Sequence, residues 1–122
     1  VPVTFTIDDH HIRLVCTGDY GVDELIAAGE MAITHPAYSH ELKLVVDMMQ
    51  VKGTRTPADI NRIVEYFIKT RLLHDTKNAV LVPDSFLYGM ARMAQNFAES
   101  QVDRSFEIFM NEEELQDWLA SP

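Results

Sequence analysis

The sequence predicts an α/β fold: an N-terminal β-hairpin, then alternating helices and strands, giving a mixed sheet flanked by helices. Three observations carry this. From Val3 to Gly18 apolar residues recur with period two, in two runs joined by a polar link. From Val22 the apolar spacing lengthens to that of a helix. Two short, nearly continuous apolar runs follow, Lys43–Met48 and Asn78–Val82, as expected for strands covered on both faces.

Each element has a local cause. Val3, Phe5 and Ile7 alternate with Thr4 and Thr6, and Ile12, Leu14 and Cys16 alternate with Arg13, Val15 and Thr17. Asp8, Asp9 and His10 supply the turn between them, so the pair reads as an antiparallel hairpin closed by Gly18. Val22, Leu25, Ile26, Gly29 and Ile33 mark the first helix, with Asp23 and Glu24 in its first turn, where the helix dipole favours negative charge. Pro36 ends it, because the residue before a proline avoids the α region. After the strand at Lys43–Met48 a loop is expected from Gln50 to Arg55. Thr56 is the N-cap of the second helix and Pro57 its first residue, with Ile60, Ile63, Val64, Phe67 and Ile68 as the apolar stripe. Pro83 stops the next strand, and Asp84 caps a third helix running from Ser85 to about Glu99. Phe106–Met110 is the last strand, and Asn111 with Glu114 forms a capping box for a short terminal helix bearing Leu115, Trp118 and Leu119. The order is ββαβαβαβα in one domain over residues 1–122, with the later strands parallel and right-handed crossovers distributing helices over the sheet faces.

Composition narrows the function. The chain has 122 residues, 47% of them hydrophobic, and a net charge of −9. A surface that acidic repels phosphate, so no nucleic-acid partner is expected. No apolar run approaches the ~20 residues that span a bilayer, and no signal-peptide pattern opens the chain. Val1 in place of Met is consistent with a short leader removed or left unnumbered. The lone Cys16 makes neither an internal disulfide nor a Cys-rich zinc site, and a soluble cytoplasmic domain is expected.

The element order, the strand Leu44-Val45-Val46-Asp47, the strand Ala79-Val80-Leu81-Val82 and the Glu-rich terminus ending Trp118-Leu119 together resemble the SpoIIAA-like family. Its members carry a domain similar to STAS (sulfate transporter and anti-sigma-factor antagonist) domains and are also likened to the lipid-carrying CRAL-TRIO fold. The resemblance implies a non-enzymatic interaction module that docks a regulatory protein through the loop between a buried strand and the next helix. In classical members that helix starts Asp-Ser-Ser-Gly and carries a phosphorylated serine. Here the matching stretch is Thr54-Arg55-Thr56-Pro57-Ala58, which lacks the motif. The resemblance also implies a non-polar ligand held between helices and sheet.

Candidate sites follow from both readings. Lys52, Thr54, Arg55 and Thr56 place two cations and two hydroxyls ahead of a helix N-terminus, beyond the carboxyl end of a strand, where ligands of such sheets tend to bind. The competing reading is a solvated loop with Thr56 as an ordinary cap. Asp47 ends the buried strand and either orients a ligand or caps nearby backbone N–H groups. On the third helix Phe86, Met90, Met93 and Phe97 form one line beside Leu87, Ala91, Ala94 and Ala98. Three readings of that wide arc stay open: core packing, a homodimer face, or the wall of an apolar pocket. The five histidines lack the spacing of a metal site, and no phosphate-binding glycine motif occurs. Ser85, His74 and Asp75 can be assembled into a triad on paper, but no nucleophile elbow surrounds Ser85. The expectation is a non-enzymatic adaptor with a protein partner, or else a carrier of a small non-polar ligand, with no cofactor and no metal.

Overall fold

The structure is a computed structural model that describes residues 2–73, 77–102 and 105–122. His74 and Asp75 of the paper triad lie outside the described residues. The order is β1 (Val3–Ile7), β2 (His11–Gly18), α1 (Val22–Ile33), β3 (Lys43–Val51), α2 (Pro57–Lys69), β4 (Asn78–Leu81), α3 (Ser85–Glu99), β5 (Glu107–Phe109) and α4 (Glu112–Ala120). This is the predicted ββαβαβαβα. The local signals hold: the Thr56 hydroxyl accepts from Asp59 N at 3.1 Å, the Asp84 carboxylate from Leu87 N at 2.9 Å, and the Asn111 side chain from Glu114 N at 3.1 Å.

The sheet has five strands in the order β1-β2-β3-β4-β5. The hairpin β1–β2 is antiparallel and the remaining pairs are parallel. Every crossover steps to the next strand in the same direction, so crossovers of one hand deliver α1, α2 and α3 to one face. That face holds the larger core, where Leu14, Leu44 and Val46 meet Leu25 and Ala28 of α1, Val64 and Phe67 of α2, and Ala98 of α3. On the other face α4 covers only part of the sheet, packing Leu115 and Leu119 on Val45, Ala79 and Leu81. The helices are therefore divided unevenly, three against one, and the strand order never reverses to open a crevice of the switch-point kind.

Sequence and structure differ at β3. The expected loop from Gln50 starts later, because Gln50 and Val51 pair with Thr17 and Gly18 of β2. The register shifts between Val15 and Thr17, whose partners are Asp47 and Gln50, so β3 carries one extra residue there. Asp47 supports this bulge by accepting from Met49 N at 2.9 Å.

α3 also sits differently from its most apolar line. Its buried residues are Ala91, Gln95 and Ala98, while Phe86 is 59% and Met93 40% exposed. At ~100° per residue the helix is turned so that the alanine row, not the Phe/Met row, meets the sheet. Small side chains permit that close approach, and Gln95 fixes it by donating to the Phe106 carbonyl while accepting from Arg92. A deeply buried core helix with Phe86 and Met93 inside is thus corrected.

Candidate functional site

Because β2 and β3 are parallel neighbours, the turn after β2 lies beside the loop after β3. Lys52 N donates to the Gly18 carbonyl at 2.9 Å and joins the two. Gly53 has φ +81, open to glycine at low cost, and a Cβ there would stand 3.0 Å from Asp19 Oδ1. Arg55 reaches back across this junction. Its Nη2 donates to Asp19 Oδ1 at 2.7 Å, its Nη1 to the Thr54 carbonyl, and its guanidinium carbon lies 4.3 Å from the Tyr20 ring centroid. The Arg55 side chain is only 12% exposed. Tyr20 is buried beneath it, and that burial pushes the Tyr20 phenol up to about 12.

The predicted loop residues thus have different fates. Lys52 and Thr54 are exposed, Thr56 is exposed but tied to Asp59 as a cap, and Arg55 is folded onto Asp19 and Tyr20. Asp47 is not brought to the loop. It points to the α4 face, where it accepts from Arg13 Nη2 at 2.9 Å. Arg13 also pairs with Glu112 and holds that carboxyl below its usual range, clamping the start of α4 to the sheet. The opposite end of α4 is held by Lys43 Nζ on the Leu119 carbonyl at 2.8 Å and by Lys77 on the Trp118 carbonyl.

Behind Arg55 lies an apolar cavity of about 100 Å³ between α2, α3 and the sheet. Val46, Met48 and Val51 of β3 form its floor, Ile60 and Val64 one wall, and Met90, Ala91 and Ala94 the other. Met48 and Val51 are three residues apart and still face the same space. Strict alternation forbids that, and the bulge in β3 allows it. Of the third-helix residues singled out from sequence, Met90 lines the cavity, Phe97 packs half-buried against the main core, and Phe86 and Met93 stand in solvent. Asp19 and Tyr20 were missed by the sequence reading. The signal was available: Asp-Tyr follows Gly18 at the end of the strand that neighbours the Arg55 loop.

No protein-family model matches the chain, and no curated protein matches it. Its coordinates resemble the crystal structure of an uncharacterized protein from the DUF3478 family, with a SpoIIAA-like fold, from Shewanella loihica PV-4. The two share 14% sequence identity with a TM-score of 0.61, over 97% of this chain and 92% of that one. The fold is SpoIIAA-like. At this identity the likeness carries the architecture alone, so the chemistry of the site rests on this chain's own residues. Among the described residues no three His, Cys, Asp or Glu side chains gather as a metal ion would need, and no helix is long and apolar enough to cross a membrane.

Proposed function

We propose that the chain is a non-catalytic, STAS-like binding module that takes a small apolar ligand between α2, α3 and the sheet. The supporting observation is the cavity itself: about 100 Å³ of space walled mostly by apolar side chains, with adaptable Met48 and Met90 on two sides. Protein interiors are otherwise close-packed, so an apolar void of this size has a packing cost that a ligand would relieve. The engagement of Arg55 by Asp19 counts against the alternative in which the loop offers two free cations to a partner. Native mass spectrometry of freshly purified protein, with uptake of an environment-sensitive apolar dye, tests the reading. A co-purifying mass that leaves on denaturation, or saturable dye uptake, is expected. A clean mass and no uptake contradict it.

A second reading, docking of a protein partner, is favoured by a different observation. Exposed Lys52 and Thr54 share the carboxyl edge of the sheet with exposed Met49, Phe86 and Met110. A second copy of this chain is one such partner, read by sedimentation at two concentrations. Retrieval of the same proteins by wild type and by a Lys52→Glu, Phe86→Ser variant would remove this reading.

A further inference from the structure

Arg55 and Tyr20 form a partition. On their inner side is the apolar cavity, and on their outer side is a polar groove of about 440 Å³ lined by Gly21, Asp23, Glu24, Asp59 and Arg62. Both spaces are bordered by Arg55 and Tyr20. Among the described residues lining the cavity, Arg55 is the one that carries a charge. Its Nε is buried and has no hydrogen-bond acceptor. A buried donor on a charged group without an acceptor is costly and uncommon, so it marks a position where an acceptor is wanted.

We propose, building on the apolar-ligand reading above, that Arg55 anchors a short-chain carboxylate whose alkyl part fills the cavity. The guanidinium offers Nε and Nη2 on one edge, the fork that a carboxylate matches with two parallel bonds. Asp19 occupies only the Nη2 position of that edge, through Oδ1 at 2.7 Å. The Asp19 side chain is 77% exposed and the Arg55 side chain 12%, so Asp19 is the end of the pair open to exchange with a ligand from solvent. An incoming carboxylate takes Nε and shares or displaces Asp19 at Nη2. Two of the groove's three acids are already engaged: Asp23 pairs with Arg62, and Glu24 accepts from Gly21 N at 2.8 Å, while Asp59 lines the groove beside them.

Cavity size fixes the chain length. The space of about 100 Å³ is smaller than the ~150 Å³ that admits benzene. An alkyl chain of about three to four carbons fits without moving α3. A longer acyl chain requires α3 to part from α2.

The test is an NMR titration of the full chain near neutral pH and physiological salt, following the methyl groups of Val46, Val64 and Leu87. The probes are acetate, butanoate, pentanoate and octanoate, each against the alcohol of equal carbon number. In wild type the acid affinity is expected to rise about fourfold per added carbon up to pentanoate and then level. Pentanoate is expected to bind about tenfold or more tighter than pentanol. Arg55→Met should erase the preference for the acid while leaving the alcohol affinity in place. Asp19→Asn, which removes the internal competitor and leaves Arg55 intact, should tighten the acid. Equal binding of acid and alcohol in wild type, or an acid preference that survives Arg55→Met, overturns the anchor while the apolar cavity keeps its role. Should Arg55→Met fail to fold, an acid affinity unchanged or weakened by Asp19→Asn overturns it equally. Absence of any shift at these methyls with acids and alcohols alike overturns the cavity reading and the anchor together.

Discussion

Filling the cavity should stabilise the protein and abolish ligand uptake at once. Ala91 is 9% exposed on α3 and borders the cavity. A void of about 100 Å³, at ~24 cal/mol per Å³, represents ~2.4 kcal/mol of packing not made. Ala91→Leu adds three carbons, worth ~2.4 kcal/mol at ~0.8 kcal/mol each. Ordering the larger side chain and shifting Met90 cost about 1 kcal/mol, which leaves a gain of about 1–1.5 kcal/mol. The assay is urea unfolding. With a slope of ~1–3 kcal/mol/M the midpoint moves up by roughly 0.3–1.5 M at unchanged slope. Ala98→Leu is the control, because Ala98 is fully buried within the main core. Overpacking there should lower stability by ~1–3 kcal/mol. An Ala91→Leu midpoint that falls as Ala98→Leu does would refute the reasoning, since it would show that the space beside α3 is not available to carbon.

Three further outcomes are expected. Thr56→Ala removes the side-chain cap on Asp59 N and should cost ~1 kcal/mol in urea unfolding, whereas Thr54→Ala, at an exposed position, should stay within about 0.5 kcal/mol; equal effects would contradict the separate roles of the two threonines. The Asp8 carboxylate, which accepts from His10 N, His11 N and the His11 ring, is held down from 3.8 to about 2. Its folded value is depressed, so its stabilisation is present above about pH 4 and is lost as pH falls towards 2; the stability gap between wild type and Asp8→Ala should close over that window, and a constant gap would contradict the assignment. Burial pushes the Cys16 thiol up to about 12, so labelling by a thiol reagent at neutral pH should be slow and should accelerate with urea in step with unfolding. Fast labelling of the native protein would contradict its burial.

What the sequence disclosed, and what it did not, divides by the range of the forces involved. The caps Thr56, Asp84 and Asn111 and the prolines Pro57 and Pro83 act within a turn of their own position, so helix starts were legible to the residue. The end of β3 was not, because Gln50 and Val51 become strand only by pairing with Thr17 and Gly18 across a bulge. The orientation of α3 was hidden for the same reason: its most apolar line is Phe86-Met90-Met93-Phe97, but the bond from Gln95 to the Phe106 carbonyl turns the alanines inward. The loop Lys52–Thr56 was found from its charge and its place ahead of a helix. That Arg55 would fold back onto Asp19 and Tyr20 required the parallel pairing of β2 with β3, which joins segments more than thirty residues apart. An apolar wall was one of three readings the sequence left open for α3; Met90, Ala91 and Ala94 line the cavity, whereas Phe86 and Met93 do not.

The most direct test of the account is a crystal of the purified protein held under xenon pressure, because xenon enters dry apolar voids and ignores polar grooves. The account predicts one strong xenon peak between α2, α3 and the sheet, in contact with Val46, Val64 and Ala91, and its loss in Ala91→Leu. A wild-type map without density at that place, or with the space filled by ordered water, would contradict it.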